Sequence, residues 1–192
     1  MQSRTLAMML VLTAVTVSAK SALLENVPLQ WKPTSQLKLG TMQMVSTAIQ
    51  FETFTDIRDN KEAIGENREN DTPKPVTTTD DVGAFISTHM RELFDKAGLK
   101  TVDGGGAVMV KGEVKQFFAR ETSTYQSNAV IHLTVSGSDG KTLWTGIVQG
   151  DATRFGRSYK IENYYEVLSD AIVNTVSSML GSTEFQKALS GR

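Results

Sequence analysis

Alternating apolar and polar residues predict three consecutive strands in the second half of the chain. The third of these strands has Trp144 and Val148 on one face and Leu143 and Ile147 on the other. Apolar residues on both faces predict a central position in the sheet. Before it, the Asp-Gly pair that ends at Gly140 predicts a hairpin turn, because it tolerates the positive φ angles of a tight turn. The alternating core positions are Val108, Val110 and Val114 in the first strand, and Ala129, Ile131, Leu133 and Val135 in the second.

Apolar spacings of three and four residues predict two longer helices. The first begins after a capping residue, Thr79 or Asp80, and ends before Gly98, a residue type that favours helix ends. The second runs from about residue 163 to residue 180, and Ser182 can start a short helix after it. The periodic residues of the first helix are Val82, Phe85, Ile86, Met90, Leu93, Phe94 and Ala97.

The first half of the chain holds one predicted strand and one long polar segment. The strand begins near Met42 and continues through Ile49 and Phe54. The segment from Asp56 to Pro75 is rich in charged residues, which predicts a long exposed loop. The element order is therefore β-α-β-β-β-α. It predicts an α+β fold with a mostly antiparallel four-stranded sheet and two helices on one face, and it leaves the strand order open.

The N-terminus is typical of a cleavable signal peptide. Arg4 precedes an uncharged run from Leu6 to Val17, and small residues fit a cleavage site after Ala19. As a helix this run spans about 18 Å, too short for a hydrocarbon core of about 30 Å. We therefore expect residues 1–19 to direct the chain to the periplasm, with no transmembrane segment in the mature chain.

After the expected cleavage site the chain divides into a leader and one domain. Residues 20–40 contain Pro28 and Pro33 and show no sustained period. This pattern predicts an extended leader, which either lies against the domain or forms a flexible tether. Residues 41–192 are expected to form a single α+β domain, since a chain of 192 residues with 40% apolar composition can bury one core.

Composition excludes several classes of function. The formal net charge of −1 provides no basic field that would attract nucleic acid. The chain has no cysteine, so thiol catalysis, disulfides and thiolate metal sites are excluded, and Lys20 stands where a lipoprotein carries its lipid-bearing cysteine. His89 and His132 have no evident ligand pair or nucleophile beside them. We therefore predict no catalytic residue, no metal site and no cofactor.

Two stretches resemble the YajG-like group of bacterial envelope lipoproteins. Phe54-Thr-Asp-Ile-Arg-Asp-Asn followed by Ile64-Gly is similar to a strand end of that group. Tyr165-Glu-Val-Leu-Ser-Asp-Ala-Ile followed by Phe185-Gln-Lys-Ala-Leu is similar to its C-terminal end. The resemblance covers about residues 42 to 189. It implies a periplasmic, outer-membrane-associated α/β domain related in architecture to assembly lipoproteins such as LptE, from which this sequence departs at the missing lipobox cysteine.

Asp56, Arg58, Asp59 and Gly65 are candidate residues of a turn motif at the end of the first strand. They fit a functional site. They also fit a turn in which Asp caps backbone N–H groups and Arg58 pairs with a carboxylate. Because Asp and Asn at strand ends usually form turns, we favour the second interpretation.

Aromatic and arginine residues concentrate around the predicted hairpin and the approach to the second long helix. Such residues are enriched at interface hot spots, so they predict a partner-binding end of the domain. Any single aromatic side chain can instead fill the core. The candidates are Phe117, Phe118, Arg120, Tyr125, Arg154, Phe155, Arg157 and Tyr159.

The predicted function is that of a non-enzymatic periplasmic protein. It would serve as an interaction or assembly module for an outer-membrane-associated complex of the cell envelope, with envelope proteins as partners and an open oligomeric state. The alternative is a periplasmic lipid or small-ligand binding protein. A carrier needs a large cavity between sheet and helices, whereas a scaffold needs a solid core and an exposed patch.

Overall fold

A computed structural model describes residues 23–40 and 46–191. The expected signal peptide, its cleavage site after Ala19 and the expected start of the first strand near Met42 lie outside the described residues. Within them the chain forms an α+β fold with a mixed sheet of eight strands and three helices. The strands are β1 Ile49–Phe51, β2 Thr55–Asp56, β3 Ala63–Asn67, β4 Lys74–Thr77, β5 Thr101–Val102, β6 Val108–Glu121, β7 Thr124–Gly137 and β8 Thr142–Phe155. The helices are α1 Val82–Lys96, α2 Ile161–Leu180 and α3 Thr183–Leu189.

Strand β6 is the centre of the sheet, because it pairs along both of its edges. On one side it is antiparallel to β7, which pairs in the same way with β8. On the other side the short strands β1, β2 and β3 lie end to end along β6 and are parallel to it. β5 pairs with β1, and β4 is antiparallel to β3. The sheet therefore has an antiparallel half of long strands and a mixed half of short strands.

A bulge in β6 changes which residues face the helices. The valines at its start are buried as predicted, but the register shifts between Val114 and Gln116. A bulge adds one residue to one strand, so the side chains after it exchange faces. As a result Phe117 is fully buried, whereas Phe118 lies on the opposite face and is half-buried. The same shift places Glu121 on the core face at the end of the strand.

Both long helices pack on one face of the sheet, as predicted. α2 contacts β7 and β8, and α1 contacts β6 and the short strands. The N-cap of α1 is Asp81, whose side chain accepts a hydrogen bond from the Ala84 N–H at 2.9 Å. The prediction that Thr79 or Asp80 caps this helix is therefore wrong. Ser182 caps α3 by accepting a backbone N–H of that helix, as predicted.

Two predictions about strands are wrong. Residues 56–75 do not form one long exposed loop, because β3 and the start of β4 lie within them and pair with each other and with β6. Nor is β8 central, because among the described residues it pairs only with β7. The apolar residues on the two faces of β8 lie in different environments. Trp144 packs against Phe185 of α3, whereas Ile147 on the opposite face is 53% exposed. The predicted four-stranded sheet is thus part of a larger mixed sheet.

The described part of the leader lies in an extended conformation against the helices. Asp170, near the middle of α2, accepts hydrogen bonds from the backbone N–H groups of Thr34 and Ser35, both at 2.7 Å. Trp31 stacks on His89 of α1, with ring centroids 4.3 Å apart. The leader therefore covers α2 on the side away from the sheet, which explains why most residues of α2 are buried on both sides.

Candidate partner-binding surface

The face of the sheet opposite the helices is open to solvent. Along β6, β7 and β8, buried residues alternate with half-buried or exposed ones. The exposed set is mostly polar, as expected for an antiparallel sheet with one wet face. We call this surface the open face.

One end of the open face forms a groove of about 440 Å³, here called the distal groove. Arg120 in its lining forms an ion pair with Glu66 of β3, with 2.8 Å between Nε and Oε1, and Arg68 pairs with the same carboxylate at 2.7 Å. Burial raises the pKa of Glu66, but the hydrogen bonds from Arg120 and Arg68 outweigh it and hold the pKa below its usual value. Phe155, farther along β8, is 88% exposed. The groove is lined by Gln116, Phe118, Arg120, Gln126, Ser127, Asn128, Asp151, Ala152 and Thr153.

The structure divides the predicted partner-binding residues into two groups. Phe117, Tyr125 and Tyr159 are buried in the core, so they present no surface to a partner. Arg154 is half-buried, and its guanidinium pairs with Glu166 of α2. The remaining residues are at least partly exposed, on or near the distal end of the sheet. They are Phe118, Arg120, Phe155 and Arg157.

A buried carboxylate, which sequence reasoning missed, organises this end of the molecule. Glu121 Oε1 accepts hydrogen bonds from the N–H groups of Ser158 at 2.8 Å and Tyr159 at 2.9 Å. Its Oε2 accepts from the Tyr164 hydroxyl at 2.9 Å. Glu121 thus joins the end of β6 to the β8–α2 connection and to α2. The alternation that starts at Phe117 is the sequence signal that places this carboxylate on the core face.

The hydrogen bonds keep Glu121 ionised. Burial raises its pKa, but hydrogen bonds from the Tyr159 N–H, the Asn67 side chain, the Ser158 N–H and Tyr125 outweigh that effect and hold the pKa below 4.5. Burial and the charge of Glu121 raise the pKa of Tyr164, so its hydroxyl remains a donor. At neutral pH this cluster is therefore an ionised carboxylate bound by neutral donors, which suits a structural link rather than an acid–base pair. We call Glu121 and its donors Ser158, Tyr159 and Tyr164 the latch.

Arg58 and Asp56 form a buried ion pair that links the loop after β2 to strand β6. Arg58 is 8% exposed, and its guanidinium lies 2.8 Å from the Asp56 carboxylate. The same guanidinium donates to the backbone carbonyls of Ala63 at 2.7 Å and Phe117 at 3.2 Å. Burial raises the pKa of Asp56, but the hydrogen bonds and charge of Arg58 outweigh it and hold the pKa below its usual value. These contacts stabilise the loop.

The other two residues of the predicted turn motif lie in different environments. Asp59 is exposed. Gly65 is buried in β3, where an added Cβ would lie 2.7 Å from the Ala119 carbonyl oxygen and 2.9 Å from the Tyr164 ring. Close approach of the two strands and α2 therefore requires glycine at this position.

A row of polar side chains crosses the open face in the order of a catalytic triad. His132 Nδ1 lies 3.2 Å from Glu113 Oε2, and His132 Nε2 lies 3.1 Å from Thr145 Oγ1. The Thr145 hydroxyl also lies 3.1 Å from a backbone acceptor, the Leu133 carbonyl oxygen. Strand N–H groups lie in the plane of the sheet and do not point to the open face, where an oxyanion would need them. The row therefore has the geometry of cross-strand hydrogen bonds.

Two further features, a metal site and a membrane-spanning helix, are absent from residues 23–40 and 46–191. In these ranges no group of three or more His, Asp and Glu side chains is placed to hold a metal ion. None of the helices described there has both the length and the hydropathy needed to cross a bilayer.

No family model matches the chain, and no curated protein matches its sequence. The fold is nevertheless found among solved structures. A crystal structure of a Xanthomonas campestris protein of family DUF330 matches 81% of this chain and 94% of its own, with 11% identity and a TM-score of 0.59. A candidate lipoprotein from Caulobacter crescentus matches 67% and 92%, with 11% identity and a TM-score of 0.47. The PelC dodecamer subunit from Paraburkholderia phytofirmans matches 72% and 92%, with 12% identity and a TM-score of 0.44. The Xanthomonas protein shares the fold of this chain, and at this identity the likeness extends to the fold alone.

Proposed function

We propose that the chain is a non-enzymatic periplasmic protein that acts as an interaction or assembly module in an outer-membrane-associated complex of the cell envelope. The signal-type N-terminus and the resemblance to the YajG-like envelope group support this location. The open face, with its distal groove, supports the interaction role, and this observation carries the proposal.

The distal groove has the side chains that protein interfaces use. Phe118 supplies a half-buried aromatic side chain inside it, and Phe155 supplies an exposed one beyond it. The Glu66 carboxylate holds Arg120 in place, which reduces the entropy that the guanidinium would lose on binding. Aromatic residues and arginine are enriched at the energetic centres of interfaces, inside a polar rim.

The packing supports an interaction module rather than a ligand carrier. A groove of about 460 Å³ beside the start of α1 is lined by charged and hydroxyl side chains such as Asp80 and Thr79, whereas a lipid needs apolar walls. Between the sheet and the helices, large side chains fill the space. Those that are fully buried include Phe94, Phe117, Tyr125, Tyr164 and Phe185.

The polar row on the open face supports a non-enzymatic role. A serine- or threonine-type hydrolase needs N–H donors aimed at the oxyanion beside its hydroxyl, and the strand N–H groups around Thr145 lie in the plane of the sheet. The fully buried carboxylate of Glu121 accepts hydrogen bonds from the Ser158 N–H and the Tyr164 hydroxyl, contacts that suit a structural role.

Affinity purification of the chain from its native envelope tests the proposal. Phe155→Ser and Arg120→Gln replace exposed side chains without adding a charge beside Glu66, so we expect both variants to fold and to lose co-purifying partner by about tenfold or more. The matched control is Ile57→Ser, which changes a residue that is 43% exposed and lies beside Val114 in the middle of β6, away from Phe155 and from the groove lining. Equal recovery of partner from the wild type and both groove variants would refute the interaction role. Recovery of a bound lipid in place of a protein would favour the ligand carrier.

A further inference from the structure

The outer side of β8 presents backbone groups that have no strand beside them. The Asp151 carbonyl accepts a hydrogen bond from the Asn174 side chain of α2 at 2.7 Å, so it points away from β7. Pairing alternates along an antiparallel ladder, so the backbone groups of Thr145, Ile147 and Gln149 point the same way. In the part of the chain that the structure describes, β7 is the only strand that pairs with β8.

Two outer edges of the sheet differ in their protection. β4 contains Pro75 and is covered by the leader, because the Thr77 N–H donates to the Leu24 carbonyl and the Val27 N–H donates to the Thr77 carbonyl, both at 2.9 Å. Residues 142–150 of β8 contain no proline and no charged residue. Natural proteins block a free edge with charge, proline or a covering segment. Within residues 23–40 and 46–191 the β8 edge lacks all three and is therefore open to a further strand.

We infer that the outer edge of β8, over residues 142–150, docks an extended segment of another protein, which joins the sheet as an additional strand. This inference rests on the proposed interaction role and gives the partner its chemistry. A row of N–H and C=O groups is satisfied along its whole length by another extended backbone. On the open face Ile147 is 53% exposed beside the incoming strand, so an uncharged segment with an aliphatic side chain at that position fits best.

The position of α2 opposes a second copy of this chain as the occupant. A Cβ on Gly150 would lie 2.3 Å from the Thr175 nitrogen and 2.4 Å from the Ala171 carbonyl oxygen, so α2 lies directly over β8. Pairing two β8 strands would bring them to about 4.8 Å and their α2 helices to a similar spacing. Packed helices need about 8–10 Å. A segment without a covering helix meets no such obstacle. The site ends at Asp151, because Asn174 already donates a hydrogen bond to the outward carbonyl of that residue.

Hydrogen exchange with a defined peptide tests strand addition. The probe is acetyl-Thr-Val-Thr-Val-Thr-Val-Thr-amide, added to the mature chain and followed by NMR. At about ten times its Kd, we expect exchange at the amides of Thr145, Ile147 and Gln149 to slow about tenfold. The amides of Gly146 and Val148, which face β7, should not change. The same peptide with N-methyl groups on its bonding edge should protect none of them.

Proline substitutions supply a second measurement. Gln149→Pro removes an outward N–H without removing a hydrogen bond to β7, so it should raise the Kd of the peptide about tenfold. Thr153→Pro makes the same change on β8 beyond Asp151, outside the proposed docking edge. It should leave the Kd of the peptide unchanged. Absence of protection, or equal protection by the N-methylated peptide, would overturn the inference. Protection without peptide, together with a dimer mass in light scattering, would overturn it in favour of self-pairing. If these tests fail while the groove variants still lose their partner, only strand addition is refuted and the interaction role stands.

Discussion

Replacing Glu121 by alanine should lower the free energy of unfolding by about 3–5 kcal/mol. The substitution leaves the N–H groups of Ser158 and Tyr159 and the Tyr164 hydroxyl without their acceptor at a fully buried position. Each unpaired buried donor costs about 1–3 kcal/mol, and donors that share one site do not add fully. A loss of this size is a large fraction of the about 5–15 kcal/mol that stabilises a small domain.

Urea unfolding of residues 20–192, followed by tryptophan fluorescence, measures this loss. Glu113→Ala is the matched control, because it makes the same change on the same strand at a side chain that is 52% exposed and pairs with His132. It should cost at most about 1 kcal/mol. Glu121→Gln keeps one acceptor oxygen but presents an amide to Tyr164, so its cost should be intermediate, about 1–2 kcal/mol. Costs for Glu121→Ala and Glu113→Ala that agree within about 0.5 kcal/mol would refute the latch.

Other contacts give predictions of the same kind. Folding lowers the pKa of Glu121 from 4.5, so the contribution of its carboxylate to stability is complete above about pH 4.5 and is lost as the pH falls through the folded value. The difference in the free energy of unfolding between wild type and Glu121→Gln should therefore be smaller in urea titrations at about pH 4 and pH 3 than at pH 7. Asp170→Ala removes the acceptor of Thr34 and Ser35, so limited proteolysis of the leader should be about tenfold faster, and an unchanged rate would contradict its docking. Gly65→Ala forces a Cβ against the Ala119 carbonyl oxygen and should cost about 1–3 kcal/mol in urea unfolding, a loss that a well-tolerated substitution would disprove.

The antiparallel half of the sheet is predictable because its signals are local. β6, β7 and β8 alternate over long stretches, and an Asp-Gly turn joins the last two. β3 and β4 are not predictable in this way, since each is short with one buried aliphatic residue, Ile64 or Val76, and β3 takes its partner from β6, far along the chain. Their hydrogen bonds depend on tertiary structure rather than on a pattern of apolar residues.

The candidate site could be predicted only in part, because a bulge and a strand order decide it. Alternation before and after the bulge does not show where the register shifts, and this position decides that Phe117 is buried and Phe118 partly exposed. Arg120 and Phe155 lie on different strands, and the pairing of β6, β7 and β8 brings them to one end of the sheet. Two-sided apolarity in β8 fits a central strand as well as an edge, and among the described strands β8 lies at the edge.

Photocrosslinking in the native envelope tests the interaction role most directly. A photoreactive phenylalanine analogue replaces Phe155, and the same analogue at Ile57 serves as the control. The interaction role predicts that one envelope protein is captured in near-stoichiometric yield from position 155 and not from position 57. Lipid adducts at position 155, or the same adducts at both positions, would contradict it.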